Sequence, residues 1–189
     1  MEKDSSFFRS RALSIRKGLS GSAILQKSLC ISDNLKRFTD DFSVFLCFYP
    51  LPGEVSLLPL YKDLLKAGKE LYFPVTLKQD ILFFKITDMD DFKKGAFSVM
   101  EPADRNRPLD TERPVLCITP GVCFGKDLNR IGFGKGYYDR FFFANAGKTI
   151  IKAGVAFNEC IWDELPANEW DIPMDILISE TNIYEKERL

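Results

Sequence analysis

Hydrophobic and polar residues follow one another in blocks along this chain, and the blocks carry two periods. Phe7, Phe8, Leu13 and Ile15 are mixed with Arg9, Arg11, Arg16 and Lys17, which predicts a basic, half-apolar helix over residues 7–18, ending at Gly18. Leu19-Ser20-Gly21-Ser22 reads as the cap of a second helix, in which Ile24, Leu25, Leu29 and Leu35 recur at near-helical spacing up to Phe38. Ser43 to Tyr49 (SVFLCFY) is unbroken apolar sequence, the pattern of a central strand buried on both faces. Pro50-Leu51-Pro52-Gly53 stops it. Leu57 to Ala67 predicts a third helix with Gly68 just past its end, where glycine is the usual residue.

After this the predicted strands shorten. Glu70 to Phe73 is one, ended by Pro74, and Ile81 to Ile86 another, followed by the acidic loop Asp88-Met89-Asp90-Asp91. Gly95 to Val99 leads into Glu101-Pro102, and residues 103–114 form a polar, proline-bearing connection. Val115 to Ile118 predicts a buried strand, then comes a long polar loop rich in glycine, and a helix begins near Tyr137. Thr149 to Phe157 and Ile176 to Ser179 are the last strands, with irregular chain over 161–170. Strands alternating with helices predict an α/β fold of three layers, a mostly parallel, Rossmann-like open sheet with helices on both faces, as one domain over residues 1–189. Such sheets bind ligands beyond the carboxyl ends of their strands. The Pro50–Glu54 and Pro120–Gly136 loops both follow strands, so they are expected to meet at one rim.

Composition narrows the chemistry. With 46% apolar residues and 17 phenylalanines among 189 residues, the chain has ample material for a core. Its net charge of −1 argues against a nucleic-acid binder, which needs an excess of positive charge. There is no histidine, which excludes Ser-His-Asp and Cys-His nucleophilic catalysis. The five cysteines form no C-x-x-C pair and read as buried, reduced thiols of a cytoplasmic protein. The charged first residues lack a signal peptide's apolar stretch, and no apolar run is long enough for a membrane span.

The candidate site is the stretch PGVCFGKDLNRIGFGKGYYDRFFF from Pro120 to Phe143. Gly132, Gly134 and Gly136 alternate, with Arg130 and Lys135 beside them and a helix start directly after. Glycines let backbone amides approach a ligand, cations add charge, and a helix N-terminus adds a partial positive pole, so the stretch suits phosphate groups. It is not a Walker loop, because Lys135 is not followed by a hydroxyl residue. Nor does it fit the dinucleotide fingerprint, its G-x-G-x-G falling more than ten residues past the strand. The ribonucleoprotein motif matches only superficially at Arg130–Gly134. A glycine-rich turn that merely joins two elements gives part of the same pattern.

The same stretch closely resembles the signature of the 5-formyltetrahydrofolate cyclo-ligase family, roughly P-G-x-x-F-D-x-x-G-x-R-x-G-x-G-[GK]-G-Y-Y-D. Phe8-Arg9 resembles the L-R of the family's basic N-terminal helix, Tyr49 to Glu54 its folate-contacting loop, Glu101-Pro102 its E-P turn, and Trp170-Asp171-Ile172-Pro173 its late H-D-x-P element. The chain departs from the pattern at Gly125, where Asp is usual, at Ser5, where Lys is usual with Lys3 nearby, and at Trp170, which replaces the late His. The resemblance implies ring closure of 5-formyltetrahydrofolate to 5,10-methenyltetrahydrofolate with ATP as co-substrate and Mg²⁺ as cofactor, through a phosphorylated formyl intermediate. It implies that Arg9, Asn129, Arg130, Ile131, Gly132, Phe133, Gly134, Lys135, Gly136 and Tyr137 bind ATP, with Lys135 and Arg130 as catalytic charge clamps. Tyr49, Glu54 and Tyr138 would bind the folate, with Phe124 and Phe133 as further pocket candidates, and Asp139 and Asp171 the metal. It also implies a cytoplasmic monomer acting on small molecules, with no nucleic acid or membrane partner. On the residues alone Arg9 is equally an ordinary helix charge, Asp171 an exposed loop acid, and Tyr49 or Phe124 a core aromatic. A sugar-phosphate or acyl-CoA enzyme on a related scaffold, and a non-catalytic nucleotide- or folate-binding protein, are the other readings.

Overall fold

The structure is a computed structural model that describes residues 4–95 and 99–186. Lys3, and most of the passage from Gly95 to Val99, lie outside the described residues. The chain begins with two helices, α1 (Ser5–Gly18) and α2 (Gly21–Lys36). Each is capped as its sequence directs, the Asp4 carboxylate accepting from the Phe7 N–H and the Ser20 hydroxyl from the Ala23 N–H. Then follow β1 (Val44–Leu46), α3 (Leu58–Lys66), β2 (Glu70–Leu77), β3 (Asp80–Ile86), β4 (Phe92–Lys94) and β5 (Met100–Pro102). The second half contains β6 (Val115–Thr119), β7 (Cys123–Gly125), β8 (Arg130–Ile131), α4 (Tyr137–Ala144), β9 (Ile150–Val155), β10 (Ile161–Trp162), β11 (Ile176–Ile178) and β12 (Ile183–Glu185).

Seven strands form the main sheet in the order β12-β11-β9-β6-β1-β2-β3. Its interior neighbours pair in parallel, and the edge strands β12 and β3 pair antiparallel. Alternation along the strands divides the core. Phe45, Leu71, Phe73, Leu116, Ile118 and Val155 face α2 and α3, while Val44, Leu46, Tyr72, Val115 and Cys117 share the other face with Phe141 and Phe142 of α4. This is the three-layer α/β arrangement that the alternating blocks predict.

Several details differ from the sequence expectation. β2 does not end at Pro74 but continues to Leu77. Pro74 lies opposite Phe83, whose carbonyl accepts from Leu109 on the far side of β3. The Phe83–Pro74 pair is therefore a non-hydrogen-bonded one, and the proline nitrogen points toward β1, which pairs only as far as Tyr72. The last β1–β2 bond runs from the Cys47 N–H to the Tyr72 carbonyl, and without an N–H at position 74 the ladder on that side stops there while the pairing with β3 continues. The predicted strand over 43–49 forms ladder pairs only at 44–46 before the chain turns out toward the rim. The connection 120–136 is not merely a loop, and 161–170 is not wholly irregular, because β7, β8 and β10 make a second, three-stranded sheet. Phe8 and Ala12 of α1 bury themselves against it, with Val122, Cys123, Ile131, Cys160 and Leu165. The β4–β5 hairpin and β12 were also unforeseen. Glu101, the acid of the E-P turn, is 3% exposed, accepts the Thr76 N–H at 3.0 Å and pairs with Arg105 at 3.0 Å, so it anchors β5 to β2.

Glu70, at the start of β2, is bonded by Arg113 at 2.8 Å, Lys85 at 3.1 Å and the Tyr72 hydroxyl at 3.0 Å. Arg113 above all, helped by Lys85 and Tyr72, lowers its carboxyl from 4.5 to about 2. A carboxyl depressed on folding stabilises the fold above its unfolded value and ceases to do so as pH falls through its folded value. Glu70→Gln should therefore lower stability by on the order of 1 kcal/mol at neutral pH. In melts taken at decreasing pH, the difference from wild type should shrink between 4.5 and about 2.

Candidate active site

β1 and β6 both end at the same rim of the sheet, so the Pro50–Glu54 and Pro120–Gly136 loops emerge side by side. α1 lies across both. From this helix the Arg9 Nε donates to the Gly132 carbonyl at 2.8 Å, and the Arg16 side chain reaches the carbonyls of Gly53 (2.9 Å) and Gly121 (3.4 Å). The arginines thus bring the glycine-rich loop and the loop after β1 to one place.

In the glycine-rich loop, Gly134 (φ 84°) and Gly136 (φ 64°) take left-handed backbone that side chains disfavour. Gly136 is also the N-cap of α4, so no side chain occupies the first-turn amides of that helix. Unoccupied amides at a helix start suit an anion. Lys135 is exposed and has no ion-pair partner among the described residues. Phe133 is 53% exposed. Asn129 is held in its own turn by Asp127, 2.9 Å from its amide nitrogen, and the Ile131 side chain is buried against α1. The hydroxyl of Tyr137 donates to the Lys78 carbonyl at 3.2 Å, and Arg140 bonds the Gln79 carbonyl, so α4 is tied to the β2–β3 turn.

Arg130 is turned inward, its side chain 6% exposed. Its Nη2 donates to both Asp139 oxygens at 3.0 Å, and its guanidinium stands 5.4 Å from the centre of the Tyr138 ring. Asp139 also accepts from the Ile172 N–H at 3.3 Å. Two atoms of this cluster, Arg130 Nε and the Tyr138 hydroxyl, are buried without a hydrogen-bond partner among the described residues. Buried polar groups are nearly always paired, so an orphaned pair beside a loop of this kind points to a ligand. Burial first, then the neighbouring Cys117, pushes the Tyr138 hydroxyl well above its usual range; the Arg130 cation opposes them, and Glu54 is near enough to add to the rise.

Glu54 is 8% exposed. Its Oε2 accepts the Leu51 N–H at 2.9 Å, and its Oε1 pairs with Arg16 at 3.2 Å. Burial raises its carboxyl above the usual value, against the pull of Leu51 and Arg16. Glu54 and Arg16 line a small pocket with Phe48, Gly121, Phe157 and Cys160. Tyr49 is turned elsewhere. Its ring packs edge-on against Phe92 with centroids 5.0 Å apart, at the margin of the core. Phe124 is fully buried and packs in the core rather than lining a pocket.

The late acid and the three departures also have definite places. Asp171 turns to the Asn168 N–H at 2.8 Å within its own bend, and it is the next residue's amide that reaches Asp139. At Gly125, the Asp127 Oδ1 lies 1.9 Å from where a Cβ would stand, so a carboxylate from two residues on fills that space. Ser5 begins α1, and Trp170 is 69% exposed. Cys47, Cys117, Cys123 and Cys160 are buried, but Cys30 is exposed, contrary to the expectation for all five. Burial raises the Cys117 and Cys123 thiols to about 12 and Cys160 to about 11, so none offers a thiolate at neutral pH.

The residue that sequence reasoning missed is Arg16. It looks like one more charge on a basic helix, yet it lies two turns beyond Arg9 on the same face, and that spacing was the available signal.

The model of the 5-formyltetrahydrofolate cyclo-ligase family matches residues 4–180. The curated 5-formyltetrahydrofolate cyclo-ligase of Haemophilus influenzae is 31% identical over 136 residues, 69% of this chain and 73% of that protein. The mouse protein of the same name is 29% identical over 188 residues, covering 91% and 88%. Among solved structures, the Aquifex aeolicus 5,10-methenyltetrahydrofolate synthetase superposes with a TM-score of 0.82 at 33% identity, over 98% of this chain and 94% of that one. The chain belongs to the 5-formyltetrahydrofolate cyclo-ligase family.

Proposed function

We propose that this chain uses ATP to close 5-formyltetrahydrofolate into 5,10-methenyltetrahydrofolate, releasing ADP and phosphate. The observation that carries the reading is the joining, by α1, of a glycine-rich loop whose exposed Lys135 makes no ion pair among the described residues to a loop bearing a buried, ion-paired carboxylate. The first suits a triphosphate. The second suits the N–H edge of a pterin, which a fixed carboxylate can bond in pairs.

In this reading Lys135 and Arg9 stand over the phosphates while the loop amides and the start of α4 bind their oxygens. The formyl oxygen attacks the γ-phosphorus and ADP leaves; N10 then attacks the activated formyl carbon, and phosphate departs with the former formyl oxygen as N10 loses its proton. An amide oxygen is already nucleophilic, so a chain without histidine can run the first step. Positioning and charge neutralisation supply most of the catalysis in such a transfer. Arg130 works from below, orienting Asp139 and the Tyr138 ring.

The described residues contain no cluster of three or more metal-ligating side chains. Asp139, a single partly exposed carboxylate at the start of α4, nevertheless fits a magnesium ion that arrives with the nucleotide, since such ions take one or two carboxylates and several phosphate oxygens. Asp139 would hold the ion, with Asp171 as the second candidate; when bound, magnesium neutralises phosphate charge. The same reading makes the protein a cytoplasmic monomer acting on small molecules. Among the described residues no helix is long and apolar enough to cross a membrane.

The test is the absorbance of methenyltetrahydrofolate formed from 5-formyltetrahydrofolate with MgATP. Product that requires both ATP and magnesium is expected, and its absence with folded protein would sink the reading. Glu54→Gln should weaken 5-formyltetrahydrofolate binding on the order of tenfold or more, leaving ATP binding nearly unchanged when both are measured by calorimetry.

A further inference from the structure

Arg16 is 8% exposed, and each face of its guanidinium fork has a different partner. Nε donates to the Gly53 carbonyl at 2.9 Å, Nη1 to the Gly121 carbonyl at 3.4 Å, and Nη2 pairs with Glu54 Oε1 at 3.2 Å. Gly53 and Glu54 belong to the loop after β1, and Gly121 opens the loop after β6. One buried cation therefore spans the two loops that form the site. The rigid, planar fork of arginine allows this; a lysine ammonium offers no such fixed geometry. The pairing also leaves Glu54 usable. A carboxylate has about four lone-pair positions, of which Arg16 and the Leu51 N–H occupy two, so the remainder can accept from a ligand.

Resting on the folate reading above, we propose that Arg16 is a positioning residue for the folate. It holds Glu54 in the orientation in which the carboxylate meets the pterin edge, both by pairing with it and by bonding Gly53, the residue before it, to Gly121, so both contacts act through that carboxylate. It touches neither substrate in this assignment. Without it, Glu54 is left as a buried anion with no cation, free to turn or to take a proton, and binding at that carboxylate fails. The nucleotide's own cations, Arg9 and Lys135, keep their places, because Arg9 bonds Gly132 independently, two turns away. The effect of losing Arg16 should thus fall on one ligand and not on the other.

The experiment is a double-mutant cycle read by calorimetric binding of 5-formyltetrahydrofolate and, separately, of ATP. It uses wild type, Arg16→Met, Arg16→Lys, Glu54→Gln, and Arg16→Met combined with Glu54→Gln. Arg16→Met is expected to weaken folate binding on the order of 10- to 100-fold and to leave ATP binding within about twofold. Arg16→Lys, which restores the charge but not the fork, should recover part of the loss. In the Glu54→Gln background, Arg16→Met should change folate binding by no more than about twofold, because its effect runs through that carboxylate. Should Arg16→Met fail to fold, Arg16→Lys with and without Glu54→Gln carries the same comparison. The assignment is overturned if folded Arg16→Met binds folate like wild type, if both ligands weaken equally, or if the two substitutions multiply. Wild-type protein that binds no 5-formyltetrahydrofolate would overturn the folate reading first and the proposal with it.

Discussion

Replacing Lys135 by alanine is expected to lower turnover on the order of 100-fold or more while leaving the melting temperature unchanged. Both halves follow from where the side chain is. Lys135 lies between Gly134 and Gly136, is exposed, and makes no ion pair among the described residues. Its removal breaks no interaction of the fold, so whatever is lost is lost to the ligand. In the proposed reaction it is the most mobile positive charge at the transferring phosphate, where stabilisation grows as charge develops. Single-turnover kinetics and a thermal melt check the two halves together. An unchanged rate would remove Lys135 from the catalytic machinery. Asp139 makes an instructive contrast, because both its oxygens are bonded to the buried Arg130. Asp139→Asn should lower turnover and also reduce stability, since it leaves a buried guanidinium without its anion.

The second large effect belongs to the support of the loop. Phe124→Ala should cost about 3–5 kcal/mol of stability, seen as a fall of roughly 10 °C in melting temperature for a chain of this size. The Phe124 ring is fully buried, and a Cβ on Gly121 or Gly154 would come within 2.6 or 2.5 Å of it. It fills the space between β7 and β9 that those glycines leave, and by doing so seats the small sheet, and the glycine-rich loop with it, on the main one. A melt shifted by only a degree or two would mean that Phe124 is not the plug its packing indicates.

The same two regions show how far the sequence could be read. The central strands, α2 and α3 were legible because long apolar runs and caps act locally. Ser20, Gly68 and the run at 43–49 each carry their message within a few residues. β7, β8 and β10 were not legible, since strands of two or three residues have no measurable period and exist only because distant segments pair. Pro74 misled for a related reason. A proline stops pairing only on the side its nitrogen faces, and β2 goes on pairing with β3 on the other side. In the site, the glycine pattern and its neighbours were readable as a motif. The inward turn of Arg130, the aromatic packing of Tyr49 and the part of Arg16 depend on tertiary contacts between residues as far apart as α1 and the loop after β6. Asp127 likewise stands in the space at Gly125 only once the turn has formed.

The most direct test of the account follows the formyl oxygen. With 5-formyltetrahydrofolate labelled with heavy oxygen in the formyl group, and MgATP, the purified protein is predicted to release inorganic phosphate carrying that oxygen, with one ADP formed for each methenyltetrahydrofolate. Unlabelled phosphate, with the heavy oxygen appearing in water, would contradict it.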